Sequence, residues 1–200
     1  MTPFRIFFIS ALSFGCQFLH GQNMVGPIPP RDIQIKIALY AAPAEQAEGA
    51  TVLGYDSDGQ MITLKEGTND LVCLTDDPSR NNIHVACYHK ALEPFMARGR
   101  ELRALGHSTE EIRKIRGEEA DAGRLKMPEH PSGLFVFDAD QVDVNMTTGE
   151  IKNGRSRAVV HTPYLTGEQS GLPTKPVGGG MPWLMDAGTH RAHIMITPPK

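Results

Sequence analysis

Hydrophobic and polar residues alternate along several short stretches of the chain, and this period of two is typical of β-strands. The stretches 51–55 and 60–65 flank the turn sequence Asp-Ser-Asp-Gly at 56–59, and together they predict a β-hairpin. The other stretches with a strand pattern are 71–75, 133–137, 142–146, 157–161 and 192–196. Short strands separated by turn sequences predict a mainly antiparallel sheet.

The middle of the chain has a different period, because its hydrophobic residues recur every three or four positions. From Leu92 to Leu105 this spacing gives one apolar face and predicts an amphipathic helix. A second helix is predicted to begin after Ser108, where Glu111 completes a capping box, and to end near Gly123. Strand signals flank this helical pair and do not alternate with it. We therefore predict a single α+β domain in which the central helical pair covers the sheet.

Residues 33–41 fit two kinds of structure. Ile33, Ile35 and Ile37 alternate with polar residues, as in a strand. Ile33, Ile37 and Tyr40 also share one face of a helix, and the alanine-rich stretch 41–48 favours helical turns. The pattern leaves both structures open.

The first residues have the layout of a secretory signal peptide. Arg5 precedes the apolar run 6–19, which is too short to span a bilayer. We predict a signal peptide at 1–21, an extended leader at 22–32 and the folded domain at 33–200, in a protein exported to the periplasm or the extracellular space. A lipid anchor at Cys16 is the alternative, although the residues around Cys16 fit that motif poorly.

The number of cysteines is consistent with the predicted export. Loss of Cys16 with the signal peptide leaves Cys73 and Cys87 as an even pair, which an oxidising compartment would join. The bond would close a loop of about 15 residues around the turn-rich stretch 76–82 and would tie the sheet to the helical pair. Two unpaired buried thiols are the alternative.

Composition and charge exclude several broad classes of protein. Hydrophobic residues make up 40% of the chain and charged residues 22%, which is close to the globular average and argues against wholesale disorder. With 20 basic and 23 acidic side chains the net charge is −3, so no strong field favours nucleic acid or an anionic membrane. We predict no nucleic-acid partner and no transmembrane span.

Two segments of the chain carry a distinctive set of short sequence patterns. The first segment, 41–78, contains Ala-Ala-Pro-Ala-Glu, Gly-Ala-Thr-Val, Lys-Glu-Gly-Thr-Asn, Cys-Leu and Asp-Pro. The second segment, 171–196, contains Gly-Leu-Pro-Thr, Met-Pro-Trp, Gly-Thr and Ala-His-Ile-Met-Ile. Together these patterns resemble a group of uncharacterised exported bacterial proteins that have no assigned activity. The resemblance implies an exported domain of mixed α and β structure whose first element is helical. It brings no catalytic residue.

The chain lacks the short motifs of common enzyme sites. It has no nucleophile elbow, no zinc-protease helix, no phosphate loop and no dinucleotide fingerprint. The aspartate-rich stretches that begin at Asp56 and Asp138 do not have the spacing of a calcium loop, so we assign them to turns or exposed strand positions. We predict no metal site and no cofactor.

Histidine is the one residue type present in a density that suggests chemistry. His161 and His193 are predicted on neighbouring strands beneath the Gly- and Pro-rich stretch 162–182, and a site built from them is the best enzyme hypothesis. The simpler interpretation of His193 is a sheet histidine bonded to the backbone. His190 lies three residues before His193, and in an extended strand this odd spacing would send the two side chains to opposite sides.

Trp183 is the single tryptophan, and it follows three glycines close to Met181 and Met185. It fits an anchor of the loop to the core or, alternatively, part of an apolar ligand surface. The candidate binding residues are therefore His161, His190, His193 and Trp183. We predict an exported domain that binds a small molecule or an envelope component without catalysis, or that has a structural role. The alternative is a histidine-dependent hydrolase, with or without a metal ion.

Overall fold

A computed structural model describes residues 27–198, which are built around one eight-stranded sheet. The described helices are α1 (Arg31–Ala38), α2 (Ala44–Ala47), α3 (Glu93–Ala104), α4 (Thr109–Asp121) and α5 (Gly167–Ser170). The strands are β1 (Thr51–Tyr55), β2 (Met61–Lys65), β3 (Leu71–Leu74), β4 (Asn82–His89), β5 (Ser132–Asp140), β6 (Val144–Asn145), β7 (Glu150–Ile151), β8 (Arg155–His161), β9 (Trp183–Met185) and β10 (His193–Ile196). The predicted signal peptide and Cys16 lie outside the described residues.

The main sheet is antiparallel except at one pair of strands. Its strand order is β2-β1-β3-β4-β5-β8-β10-β9, and among these neighbours β1 and β3 are the pair that runs parallel. β6 and β7 form a separate two-stranded hairpin. The predicted α+β class and the mainly antiparallel sheet are confirmed, and strands from both sides of the helical pair in sequence combine in it. Within residues 27–198, no helix has both the length and the apolar character needed to cross a bilayer.

Helix α1 covers one face of the sheet. Its residues Ile33 and Ile37, one turn apart, are buried in the same cluster as Cys73 and Val85 of the strands. Residues 33–41 are therefore helical, in α1 and a following 3-10 turn, which decides between the two structures that the pattern left open. The helix begins at Arg31, so it includes the last two residues of the predicted leader.

Helices α3 and α4 cover the opposite face, as predicted. Tyr88 of β4 is fully buried there, and its hydroxyl donates to Glu93 and accepts from Arg100, both on α3. Arg98 of α3 makes a two-pronged ion pair with Glu119 of α4, with a shortest N–O distance of 2.6 Å. This pair joins the two helices across their interface.

The capping box predicted at the start of α4 is present. The hydroxyl of Ser108 accepts from the backbone N–H of Glu111, and the Glu111 carboxylate accepts from the backbone N–H of Ser108 at 2.8 Å. Each of these bonds satisfies a backbone donor that a helix end leaves unpaired. Gly123 follows α4 with a φ of 68°, the left-handed conformation that a helix end favours in glycine.

The sequence pattern does not predict β4, although this strand lies at the centre of the sheet. Four consecutive residues of β4, from Val85 to Tyr88, are buried. Helices cover both faces of the sheet at this point, so side chains that point to either face are out of water. Strands buried on both faces lose the alternation of polar and apolar residues that identifies a strand in sequence.

One further prediction of extended structure is wrong in detail, and one stretch without a predicted element contains a helix. The stretch 142–146 does not join the main sheet, because Gln141–Asp143 is a 3-10 turn and Val144–Asn145 pairs with β7. The Gly- and Pro-rich stretch 162–182 contains the short helix α5, and edge strand β9 follows it directly. The sequence pattern predicts neither of these two elements.

A disulfide joins Cys73 of β3 to Cys87 of β4, as predicted. The two residues lie opposite each other in the sheet, fully buried, with Cα atoms 4.0 Å apart, inside the upper limit for a disulfide. The predicted link between the sheet and the helical pair is wrong. Cys87 lies within a strand, and the bond connects two neighbouring strands beneath α1.

Candidate functional site

His161 and His193 lie side by side on the neighbouring strands β8 and β10. They are directly paired in the antiparallel register. Their rings stack with centroids 5.8 Å apart and with an angle of 18° between the ring planes. The structure therefore brings together the two residues on which the enzyme hypothesis depends.

His190 approaches this pair from the connection between β9 and β10. Residues 189–191 lie in this turn, and the extended strand begins at His193. The expectation that His190 and His193 lie on opposite sides of one strand is therefore wrong. The ring of Phe95 on α3 contacts both His161 and His190, because its centroid lies 5.5 Å from that of His161 and 6.0 Å from that of His190. We name His161, His190 and His193 the histidine cluster.

Helix α4 supports the histidine cluster through a glycine. A Cβ atom at Gly117 would lie 2.9 Å from Cε1 of His190. The imidazole therefore packs directly on the helix backbone at Gly117, and a larger side chain there would displace the ring.

A contact with the backbone shows which ring nitrogen of His193 carries the proton. Its Nδ1 lies 2.6 Å from the carbonyl oxygen of Arg191. Because a carbonyl oxygen accepts and does not donate, Nδ1 carries the proton, and Nε2 of the neutral ring is an acceptor. His193 is thus a sheet histidine bonded to the backbone, but this bond uses Nδ1 and does not involve Nε2.

Arg116 of α4 lies over Phe95, next to the histidine cluster, and no carboxylate of residues 27–198 is within ion-pair distance of it. Its guanidinium carbon is 4.0 Å from the centre of the Phe95 ring, and its Nη1 donates to the Phe95 carbonyl oxygen at 3.1 Å. Burial, and then the positive charges of Arg191, Arg103 and Arg113, lower the pKa of Arg116 to about 10. The arginines therefore produce a positive potential that nearby carboxylates do not cancel.

The same environment acts on the histidines. Burial, and then the neighbouring groups His193, Arg191 and Arg116, lower the pKa of His161 to about 4. Burial is also the main cause of the lowered pKa of His190. His161 is consequently neutral at neutral pH.

Four buried side-chain atoms within residues 27–198 lack a hydrogen-bond partner, and all four lie in this region. They are Nδ1 of His161, Nε2 of His190, Nε of Arg116 and Oδ2 of Asp186. Oδ2 of Asp186 is 3.2 Å from Nη2 of Arg191, so it has an ion-pair partner whose angles are not those of a hydrogen bond. Buried polar atoms in folded proteins almost always have partners, so the three atoms that have neither a hydrogen bond nor an ion pair mark this region as one where a ligand or water can bind.

An open cleft of about 440 Å³ borders the histidine cluster, and we name it the α4 cleft. It is lined by Arg113, Lys114, Gly117, Glu118 and Asp121 of α4 and by Asp186, Gly188, Thr189, His190 and Arg191 of the β9–β10 connection. Each of its three carboxylates has a partner, since Glu118 lies 4.0 Å from Lys114, Asp186 faces Arg191, and Asp121 accepts from the Tyr164 hydroxyl. The cleft therefore has as many cations as carboxylates in its wall, but Arg113 has no carboxylate within ion-pair distance among residues 27–198 and is available to a ligand.

The backbone is strained beside the α4 cleft. Tyr164 and Asp186, with φ values of 65° and 52°, are the two non-glycine residues in the described chain that have positive φ. Hydrogen bonds between their loops hold this conformation, from Tyr164 N–H to the Thr189 oxygen and from Gly188 N–H to the Leu165 oxygen, each at 2.8 Å. Strain of this kind persists where surrounding structure imposes it, and it is concentrated at functional sites.

The remaining candidates lie elsewhere. Trp183 is half-buried in edge strand β9, where it pairs with Met195, and it is not among the residues that line the α4 cleft. Asp138 is not part of a calcium loop but accepts from Nδ1 of His84 at 2.6 Å and pairs with Arg157. Within the part of the chain that the structure describes, no three His, Cys, Asp or Glu side chains are grouped so that they could hold a metal ion.

Sequence reasoning missed Phe95, Arg116, Gly117, Asp186 and Arg191. For Arg116 a signal exists, because Ile112, Arg116 and Ala120 follow at four-residue spacing along the buried side of α4. An arginine on the apolar side of a helix is unusual unless it has a buried role. For Asp186 and Arg191 the sequence carries no such signal, since both lie in a connection whose shape follows from β9.

Comparison of the chain with models of known protein families, with curated protein sequences and with solved structures finds no significant match.

Replacement of Gly117 by alanine is expected to move His190 without unfolding the protein. Alanine favours a helix by about 1 kcal/mol over glycine, but here its methyl group would meet the His190 ring. We therefore expect little or no gain in stability and a large change in the His190 ring resonances. In a His190→Ala background the contact is gone, so Gly117→Ala should raise the melting temperature. Equal effects of Gly117→Ala in both backgrounds, measured by thermal unfolding, would show that His190 does not pack on this glycine.

Proposed function

We propose that this chain is an exported binding domain that holds a small oxyanion, a phosphate, sulfate or carboxylate group, in the α4 cleft. The observation that carries the proposal is the concentration of unpaired buried atoms beside this cleft. Among these atoms, Nε2 of His190, a residue of the cleft wall, becomes a donor in one tautomer or on protonation, and the Nε–H of Arg116 lies behind the wall. An oxyanion accepts from such donors with several lone pairs.

The charge of the site supports the same class of ligand. Arg113 and Arg191 line the α4 cleft, and Arg116 lies behind it next to the histidine cluster. Arg113 and Arg191 contribute to the lowered pKa of Arg116, and Arg191 and Arg116 contribute to the lowered pKa of His161, because they repel further positive charge. A bound anion relieves this repulsion, and it would raise the pKa of His190 at the wall of the cleft.

The strained connection between β9 and β10 supports a role in binding. Asp186 and Arg191 are held opposite each other by this connection, and His190 is held against Gly117. The polar groups are thus in position before a ligand arrives, which lowers the entropy lost on binding. The ligand is a free small molecule or an anionic group on an envelope component.

Export is part of the proposal. The predicted signal peptide and a fully buried disulfide between neighbouring strands support it, because disulfides persist in oxidising compartments.

Titration of the purified protein with inorganic phosphate, sulfate and acetate tests the proposal. We expect at least one of these anions to shift the ring resonances of His190 in a saturable manner and to raise the His190 pKa. Arg113→Ala should weaken the binding by about tenfold or more, since a hydrogen bond between charged groups contributes about 1.5–3 kcal/mol. Lys126→Ala removes the same charge from an exposed position that does not line the cleft, and it serves as the matched control.

Two results would contradict oxyanion binding. One is the absence of any saturable shift with all three anions. The other is an equal loss of affinity in Arg113→Ala and Lys126→Ala, which would mean that the anions respond only to overall charge.

A histidine-dependent hydrolase is the second candidate, and the stacking of His161 on His193 favours it. His161 is held neutral by burial, and His193 presents Nε2 as an acceptor, so the pair could take and return a proton. Elemental analysis separates the two candidates. A stoichiometric transition metal that is lost in His161→Ala or His193→Ala would favour the hydrolase and contradict a purely binding role.

A further inference from the structure

A second cavity lies beneath α1, on the face of the sheet opposite the histidine cluster. It has a volume of about 210 Å³, and we name it the α1 pocket. Much of its wall is apolar, with Ile28, Ile37, Ile83 and Met146 among the lining residues. A concave apolar cavity with a few polar groups is the usual form of a small-molecule site.

Two of the polar residues in this wall are already used by the fold. The Gln34 side chain makes three hydrogen bonds, donating to the carbonyl oxygens of Pro29 and Tyr55 and accepting from the Tyr55 N–H. The Thr75 hydroxyl donates to the Gln34 carbonyl oxygen at 3.2 Å. Neither side chain is therefore the main polar group available to a ligand.

Asp76 is the one carboxylate in the wall of the α1 pocket. Its Oδ1 accepts from the His84 backbone N–H at 2.8 Å, and no cationic side chain of residues 27–198 lies within ion-pair distance of it. Burial is the main reason that its pKa is raised to about 6, with Asp77 raising it further and Arg80 opposing the shift. The charged form of Asp76 thus lacks a compensating positive group.

We propose that the α1 pocket binds a small apolar amine, whose hydrocarbon part fills the cavity and whose ammonium group pairs with the Asp76 carboxylate. Charge complementarity selects this class of ligand. Asp76 is half-buried in the wall and has no ion pair among residues 27–198, whereas Arg80, the cation that also lines the pocket, is exposed to solvent that screens its charge. The pocket is separate from the α4 cleft, so this proposal does not depend on oxyanion binding.

Benzylamine, benzyl alcohol and benzoate form a matched set of probes that differ in charge but share the same ring. We expect benzylamine to bind the purified protein about tenfold more tightly than benzyl alcohol, because only the amine forms a charge-assisted bond. We expect benzoate to bind least well. Shifts of the methyl resonances of Ile37 and Met146 would locate the binding in the α1 pocket.

The affinity for benzylamine should depend on pH. The titratable groups around Asp76 are Asp77, Arg80 and Tyr55, and of these four groups Asp76 is the one whose pKa is raised to about 6. Protons compete with the amine for Asp76, so binding should weaken about tenfold when the pH falls from about 8 to about 5.

Asp76→Asn keeps the oxygen that accepts from His84 but removes the charge. This variant should lose both the preference for benzylamine over benzyl alcohol and the pH dependence. Asp77→Asn is the matched control, because it removes a neighbouring charge that does not line the pocket, and it should keep both properties. Equal affinity for the alcohol and the amine, a preference for benzoate, or no binding of benzylamine would each overturn the proposal.

Discussion

Replacing Cys73 and Cys87 together by alanine is expected to lower the free energy of unfolding by about 2–4 kcal/mol while the helices and strands stay in place. The bond closes a loop of about 15 residues, for which the chain-entropy model gives about 3 kcal/mol. Both cysteines are fully buried on the side of the sheet that α1 covers. The rest of this apolar face remains in the variant, which is why we expect the secondary structure to persist.

Urea unfolding of the oxidised protein and the double-alanine variant, followed by circular dichroism, measures this loss. Reduction of the disulfide in the native protein should cause a similar loss. The same reducing agent added to the double-alanine variant is the control, and it should leave the unfolding of that variant unchanged. Native protein with two thiols that titrate freely, or two proteins with the same unfolding midpoint, would show that the bond does not stabilise the fold.

The parts of the fold that sequence predicted are those in which one face is buried and one is in water. In α4, Ile112 identifies the apolar side of the helix, and the capping box at Ser108 identifies its first turn. Both signals are local in sequence. The hairpin of β1 and β2 is local in the same sense, because Asp56 accepts from the backbone N–H groups of Asp58 and Gln60 within the turn. Such elements can be predicted from sequence because the residues that determine them lie within a few positions of one another.

Strand β4 and the α4 cleft were beyond sequence reasoning for the opposite reason. The burial of β4 on both faces depends on α1, which is distant in the chain, and on α3, which folds back over the strand that it follows. The position of His190 depends on a turn that exists because β9 pairs with β10, and on the absence of a side chain at Gly117. The pairing of His161 with His193 could be predicted because both lie in recognisable strands, but the arginines around them could not.

Replacement of Gln34 by methionine is expected to destabilise the protein by about 2–4 kcal/mol, although the two side chains are similar in length. Gln34 is 3% exposed, and its side chain completes the hydrogen bonding of the Tyr55 backbone at the end of β1. Methionine leaves the N–H and the carbonyl oxygen of Tyr55 and the carbonyl oxygen of Pro29 without this partner. Each buried polar group that loses its partner costs about 1–3 kcal/mol.

The total falls below the sum of three such losses because Gln34 also lines the α1 pocket, where water can reach some of the freed atoms. Gln46→Met is the matched control, because Gln46 is exposed and its side chain makes no hydrogen bond within the described residues. We expect that substitution to change stability by less than about 0.5 kcal/mol in urea unfolding. Similar losses in the two variants would mean that Gln34 acts through helix propensity alone. A loss confined to Gln34→Met would show that this one amide joins α1 to the end of β1.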